Sequence, residues 1–260
     1  MKSLNDSLKS IELVKVIIIG ILALALIFIA NELFNTNIDE IWMYIVILIY
    51  ILYRLRHHKA EWNYNFHNIF SKISFKRICL IVLLNIFFSY GMLYCFNYIT
   101  TTTTLLDPLL CSLIAISSFK VIGTIGNFIS TVFIAPASEE FIFRGVILNR
   151  FQLVANLPYA ILISSFLFGV LHEPGSIFSA FIFGICMCIL YLRTKNILVP
   201  IFAHFLNNLI AEILYFVDVN NLIFTDPLII FGFSALAIIS LYLILISLKQ
   251  EWKHLKYYET

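Results

Sequence analysis

Eight apolar segments run along this chain, and most are close to the roughly 20 residues that a helix needs to cross a bilayer. They are residues 11–33, 38–53, 78–99, 109–135, 159–171, 177–192, 198–216 and 228–248. Only 12% of the 260 residues are charged, whereas soluble domains carry about 25%, so lipid must replace water around much of the surface. We therefore predict an all-α fold, a polytopic transmembrane helix bundle with about eight membrane helices.

The fifth segment, residues 159–171, is too short to cross a bilayer comfortably. It must be helped by its flanks, lie in locally thinned lipid or be buried among the other helices. The first segment is long, and no clear small-residue cleavage site follows it. We therefore interpret it as a retained membrane helix instead of a cleaved signal peptide.

Basic residues occupy alternate connections between these segments. They are Arg54, Arg56, Lys59, Lys72, Lys76 and Arg77 after the second segment, Arg150 after the fourth, Arg193 and Lys195 after the sixth, and Lys249, Lys253 and Lys256 after the eighth. The connections after the third, fifth and seventh segments contain Asp107, Glu173, Asp218 and Asp226 but no Lys or Arg. The positive-inside rule then predicts a multi-pass protein of the cell membrane with both termini in the cytoplasm. Aromatic residues mixed into the first basic connection predict an interfacial segment on an anionic leaflet.

Three clusters of polar side chains interrupt the apolar segments. Glu139 and Glu140 precede Arg144, His172 ends the fifth segment, and His204 and Asn208 lie in the seventh. An ionisable group near the bilayer centre costs about 2.5–3.5 kcal/mol even on the lenient insertion scale, so such residues usually serve a function. Each cluster also has a structural explanation. Glutamates favour a helix N-terminus, a histidine can cap a helix end, and polar pairs can join helices.

Helical spacing separates the roles of the two glutamates. Glu140 and Arg144 are four residues apart, so they share a helix face and can pair. Glu139 projects about 100° away from that face, which leaves it without a local partner and available as a base. His204 and Asn208 share a face in the same way. Pro136 and Ser138 mark a kink or a helix start just before the glutamates.

Taken together, the three stretches resemble the CPBP family of intramembrane proteases, which includes type II CAAX prenyl endopeptidases and bacteriocin-processing relatives. The family pattern is E-E-x-x-x-R, then F-x-x-x-H, then H-x-x-x-N or D. It stands here as Glu139-Glu140-x-x-x-Arg144, Phe168-x-x-x-His172 and His204-x-x-x-Asn208. The resemblance covers roughly residues 117–216. It implies a catalytic core at 109–218, between N-terminal membrane helices with a basic cytoplasmic loop at 1–108 and a C-terminal membrane helix with a basic tail at 219–260.

The resemblance also implies roles for these residues in peptide hydrolysis. Glu139 and His172 would activate a water molecule, His204 and Asn208 would stabilise the oxyanion, and Glu140 with Arg144 would support them. The alternative chemistry uses zinc held by Glu139, His172 and His204, which are acceptable ligands. However, Asn208 is a poor zinc ligand and the H-E-x-x-H signature is missing. We favour the route without a cofactor, in which the glutamate activates the water.

The predicted function is that of an intramembrane endopeptidase acting on a short or membrane-tethered peptide. The partners are therefore membrane lipid and a peptide substrate, and the chain has no nucleic-acid motif. Two other classes stay open: a non-proteolytic bacteriocin-immunity or regulatory membrane protein, and a small transporter with a proton relay. Glu139 and His172 can meet only if the fifth helix is short and deep, or if the fourth breaks near Pro136 and turns back. With this topology, the site should open toward the cytoplasm or the inner half of the bilayer.

Overall fold

The structure is a computed structural model that describes residues 3–39, 41–104, 125–218 and 222–257. All regular elements in these ranges are helices. In chain order they are α1 (Leu4–Ser10), α2 (Leu13–Phe34), α3 (Ile41–Arg54), α4 (Lys59–His67), α5 (Phe75–Thr104), α6 (residues 125–151), α7 (Leu157–Val170), α8 (Ile177–Thr194), α9 (Leu198–Val217), α10 (Leu222–Thr225) and α11 (Pro227–Tyr257). The predicted all-α class is confirmed.

Several of these helices are long and apolar enough to cross a membrane, as expected of a multi-pass membrane protein. Within the described ranges they are Leu13–Phe34, Phe75–Phe96, Pro174–Thr194, Leu198–Val217 and Pro227–Trp252, with shorter apolar helices at Ile41–Arg54 and Leu157–Val170. The fourth predicted segment lies partly outside the described residues, as does Asp107. The arrangement is compatible with about eight spans.

Helix α6 continues through Pro136 without turning back. It alternates between α-helical and π-helical turns, with π-helix at Ser130–Ile134 and at Phe141–Leu148. In a regular α-helix, a proline ring clashes with the backbone carbonyl four residues earlier. The wider π-helical turn just before Pro136 changes the backbone hydrogen bonds there, so the proline ring can be accommodated. The suggested reversal near Pro136 is therefore wrong. The other predicted arrangement, a short fifth helix, is present as α7.

The basic connections gather at one end of the bundle. Asn5 Nδ2 in α1 donates to the Lys195 carbonyl at 2.7 Å, and Arg150 Nε donates to the Ile11 carbonyl at 2.8 Å. Ser7 Oγ lies 2.7 Å from Nε2 of His58, in the connection before α4. The apolar face of α1, with Leu4, Leu8 and Ile11 buried, packs against the same core as α6. The connections that the charge pattern assigned to one side therefore share one end, which we call the basic end.

Glu251 on α11 joins three helices at the basic end. Its side chain is buried and pairs with Arg77 at the start of α5, Oε1 to Nη2 at 3.2 Å, and with Arg193 at the end of α8. The sequence analysis did not identify this residue. Its single carboxylate holds α11 against α5 and α8, because Arg77 and Arg193 lie 174 and 58 residues earlier in the chain.

We expect Glu251→Gln to lower the free energy of unfolding by about 1–3 kcal/mol, because hydrogen bonds to charged groups are the strong ones. Thermal unfolding in detergent, followed by tryptophan fluorescence, measures the change. Glu12→Gln is the matched control, since Glu12 pairs with Lys15 on an exposed surface and exposed pairs contribute little. Equal melting temperatures for the two variants would contradict this role of Glu251.

Candidate functional site

A buried ion pair forms the base of the site. Glu140 and Arg144, one turn apart on α6, are both fully buried, and Nη1 of Arg144 lies 2.9 Å from Oε1 of Glu140. Arg144 Nη2 also donates to the Gly184 carbonyl on α8 at 3.1 Å. The guanidinium carbon lies 4.5 Å from the centre of the Phe168 ring. The pair thus connects α6, α7 and α8 through one side chain.

His204 on α9 lies between the two glutamates. Its Nδ1 is 2.9 Å from Glu140 Oε1, and its Nε2 is 3.8 Å from Glu139 Oε2. Glu140 Oε1 also accepts from Arg144, so this oxygen is an acceptor and the proton of the hydrogen bond is on Nδ1 of His204. As a result, Nε2 faces Glu139 and can donate only when the ring is doubly protonated. Spacing within α6 did not predict that one histidine contacts both carboxylates.

His172 reaches the same place from the end of α7. Its Nδ1 lies 2.9 Å from the Phe168 carbonyl one turn earlier, and its ring centre is 4.5 Å from that of Phe168. The backbone bond orients the imidazole so that Nε2 is left for other partners. The Phe168 ring also contacts His204, with 5.7 Å between ring centres. Phe168 therefore separates and positions the two histidines.

Glu139 and His172 line one cavity of about 250 Å³. The other lining residues are Tyr44, Phe143, Phe168, Leu171 and Glu173. The cavity lies against α6, with Tyr44 of α3 on one side and the end of α7 on the other. A hydrogen bond from Ser138 Oγ to the Tyr44 carbonyl, 3.2 Å long, holds α3 next to Glu139. The structure therefore brings Glu139, His172 and His204 together from three helices.

Asn208 lies beside this group but is not among the residues that line the cavity. Its Nδ2 donates to the Thr131 carbonyl at 2.9 Å, and its Oδ1 accepts from Asn207 Nδ2 at 3.3 Å. Thr131 belongs to the first π-helical stretch of α6, where the hydrogen-bond ladder is irregular. Asn208 thus joins α9 to α6 one turn away from His204.

The zinc alternative depends on the grouping of the donor atoms. In the part of the chain that the structure describes, no three His, Cys, Asp or Glu side chains are grouped to hold a metal ion. Nδ1 of His172 and Nδ1 of His204 already face oxygen acceptors. These bonds leave Nε2 of both histidines available, as in zinc sites where the second ring nitrogen is hydrogen-bonded, but Glu139, His172 and His204 are not grouped as a three-ligand site.

The residues that line the cavity lie away from the basic end. The exposed lining residues, Leu171 and Glu173, follow α7, whose first turn lies next to the basic connection that contains Arg150. Tyr44 is near the start of α3, at the opposite end of that helix from Arg54. That the site opens toward the cytoplasm or the inner half of the bilayer stays a prediction. Span counting could not show which neighbouring helices leave a cavity next to Glu139.

Several polar residues around the site escaped the sequence analysis. Tyr44 has no motif, because it reaches the cavity only through the packing of α3 on α6. Glu212 is 5% exposed, and its Oε2 has no hydrogen-bond partner among the described residues. The four-residue spacing from His204 to Asn208 to Glu212 would have identified it as the third member of a polar stripe.

Comparison with known proteins points to one family. Residues 121–210 match the family model described as Type II CAAX prenyl endopeptidase Rce1-like. Over 91 residues the chain is 37% identical to a Bacillus subtilis (strain 168) protein named "Putative membrane peptidase YdiL". That match covers 34% of this chain and 36% of the relative. No solved structure matches the chain. The predicted resemblance is confirmed over the region that contains every motif residue.

Proposed function

Starting from this Rce1-like region, we propose that the protein is an intramembrane endopeptidase that hydrolyses a peptide bond with water activated by Glu139 and His172. The observation that carries the proposal is that Glu139 and His172 line one cavity within a bundle of apolar helices, with Nε2 of His204 3.8 Å from the Glu139 carboxylate. Buried ionisable groups are costly in a membrane, and their convergence from three helices favours catalysis over separate structural roles. The substrate is a short or membrane-tethered peptide.

In the proposed mechanism, Glu139 is the general base. A water molecule between the Glu139 carboxylate and Nε2 of His172 gives a proton to Glu139 while its oxygen attacks the carbonyl carbon. The C–N bond then breaks, and the departing nitrogen takes the proton from Glu139. His172 orients the water because the Phe168 carbonyl fixes its ring.

His204 stabilises the oxyanion of the tetrahedral intermediate in this proposal. When doubly protonated, it can donate from Nε2 while Nδ1 stays bonded to Glu140. Glu140 and Arg144 hold the ring in place. Asn208 is proposed as a second donor through the N–H that its bond to Thr131 leaves free. We also propose that the protein lies in the cell membrane with both termini in the cytoplasm, because the positive-inside rule favours basic connections on that side.

Cleavage assays in proteoliposomes test this function. The wild-type protein is incubated with a library of internally quenched peptides, and the products are identified by mass spectrometry. We expect cleavage by the wild type and none by Glu139→Ala or His204→Ala. A non-proteolytic immunity or regulatory protein would instead bind peptides without cleaving them, and both variants would keep its phenotype.

Removal of metal ions separates the two chemistries. We expect a chelator such as 1,10-phenanthroline to leave cleavage unchanged, because a carboxylate base and a histidine suffice to activate water. The assay compares initial rates with and without chelator, with a known zinc protease as a positive control. Loss of activity that added Zn²⁺ restores would support the zinc alternative and contradict this expectation.

A further inference from the structure

The mouth of the cavity carries a carboxylate, that of Glu173, which no described basic residue balances. Two of its lining residues, Glu139 and Glu173, have carboxylates, and no Lys or Arg lines it. His204 lies 3.8 Å from the Glu139 carboxylate and Arg144 pairs with the neighbouring Glu140, so the charge of Glu139 is partly balanced, whereas Glu173 has no such partner among the described residues. The cavity is therefore suited to a cationic group and unfavourable for an acidic one.

Glu173 stands at the mouth of the cavity in a turn with defined hydrogen bonds. The Ser176 amide donates to the Glu173 carbonyl at 2.8 Å, and the His172 amide donates to the Gly169 carbonyl at 3.0 Å. Pro174 directly follows and begins a 3₁₀ turn. The Glu173 side chain is exposed and forms no ion pair within the described part of the chain. The turn thus presents an uncompensated carboxylate to whatever enters the cavity.

We infer that Glu173 selects peptides that carry a basic group within about two residues of the cleaved bond. Adjacent Cα atoms are about 3.8 Å apart, so Glu173 lies about one residue from the His172 that orients the water. The basic group is either a Lys or Arg side chain or a free α-amino group, and Tyr44 and Leu171 provide apolar contacts for its stem. This inference rests on the proposed function, since it concerns the substrate of the same site.

Paired peptide libraries test the inference with the reconstituted full-length protein. One library contains a Lys in the middle of a membrane-compatible peptide, a second has the isosteric neutral norleucine there, and a third has only a free α-amino terminus. We expect the wild type to show a kcat/KM about three to five times higher for the Lys library than for the norleucine library. This ratio corresponds to the upper part of the 0.2–1 kcal/mol range for exposed pairs. A preference for the third library would identify the α-amino group as the cation.

Glu173→Gln is expected to bring the Lys-to-norleucine ratio close to one, and Glu173→Lys to invert it. Glu32→Gln is the matched control. It removes the same charge from an exposed residue at the end of α2 that does not line the cavity, and should keep the wild-type ratio. High salt should reduce the wild-type preference, because exposed charges are screened.

The outcomes distinguish the two proposals. Cleavage with equal rates for Lys and norleucine peptides, or a ratio unchanged in Glu173→Gln, would overturn the role of Glu173 and leave the endopeptidase function intact. Failure of the folded wild type to cleave any library would overturn the endopeptidase function and the inference with it. Charge selection can also be measured without cleavage. Fluorescence anisotropy should show that Glu139→Gln binds the Lys peptides more tightly than the norleucine peptides.

Discussion

Glu139→Gln is expected to lower kcat for peptide cleavage by about 10³-fold, within the range of 10²–10⁴ that a general base contributes. Glutamine keeps the size and the hydrogen-bonding shape of the side chain but cannot take the proton of the attacking water. Glu139 and His172 line the same cavity, and the Glu139 carboxylate lies 3.8 Å from Nε2 of His204. The loss should therefore appear in kcat, with a smaller change in KM.

The measurement is the initial rate of cleavage of an identified peptide, with purified protein in proteoliposomes. Glu32→Gln serves as a control for the loss of one carboxylate outside the site. Thermal unfolding should show that Glu139→Gln is folded. Arg144 pairs with Glu140 and not with Glu139, so the substitution leaves the buried ion pair intact. A folded Glu139→Gln variant with wild-type kcat would exclude Glu139 as the base.

Arg144→Met is expected to destabilise the protein by about 3–5 kcal/mol, because it leaves the charge of Glu140 buried without its partner. Both side chains are fully buried, and Arg144 also holds the Gly184 carbonyl. Cleavage should fall as well, because Glu140 would lose the Arg144 contact that positions it and would hold the His204 ring less firmly. Chemical or thermal unfolding in detergent measures the change.

The double variant Glu140→Gln/Arg144→Met provides the matched comparison. It removes both charges of the pair, so it should recover part of the stability that Arg144→Met loses. His204 would still lose its carboxylate partner, and activity is expected to stay low. If the single and double variants were equally stable, the two charges would not be coupled and the pair would have no structural role.

The local spacing in the sequence predicted one contact within a single helix, that of Glu140 with Arg144. The four-residue separation of Glu140 and Arg144 predicted an ion pair, and Arg144 Nη1 lies 2.9 Å from Glu140 Oε1. The order of the three motifs predicted that distant segments would meet, and residues 121–210 match the corresponding family. These predictions succeed because helix geometry is regular, so spacing along the chain determines which side chains share a face.

Contacts between helices were harder to predict. The sequence indicated Glu139 as a residue without a local partner, but it did not show that His204 lies between both glutamates. It assigned Asn208 to the site but did not show that Asn208 also bonds to the Thr131 carbonyl in a π-helical turn. The position of that turn depends on how α6 accommodates Pro136, which a hydrophobic pattern does not describe.

The sequence by itself determined that this chain forms membrane helices, which residues interrupt them and which connections lie together. Length, hydropathy and charge decide these properties, because lipid admits backbone only when its hydrogen bonds are made within the helix. Only the tertiary structure decided which helices leave a cavity open, that Tyr44 and Glu173 line it, and that Glu251 joins three helices at the basic end. Those features depend on how side chains far apart in the chain pack against each other, and no local spacing specifies that packing.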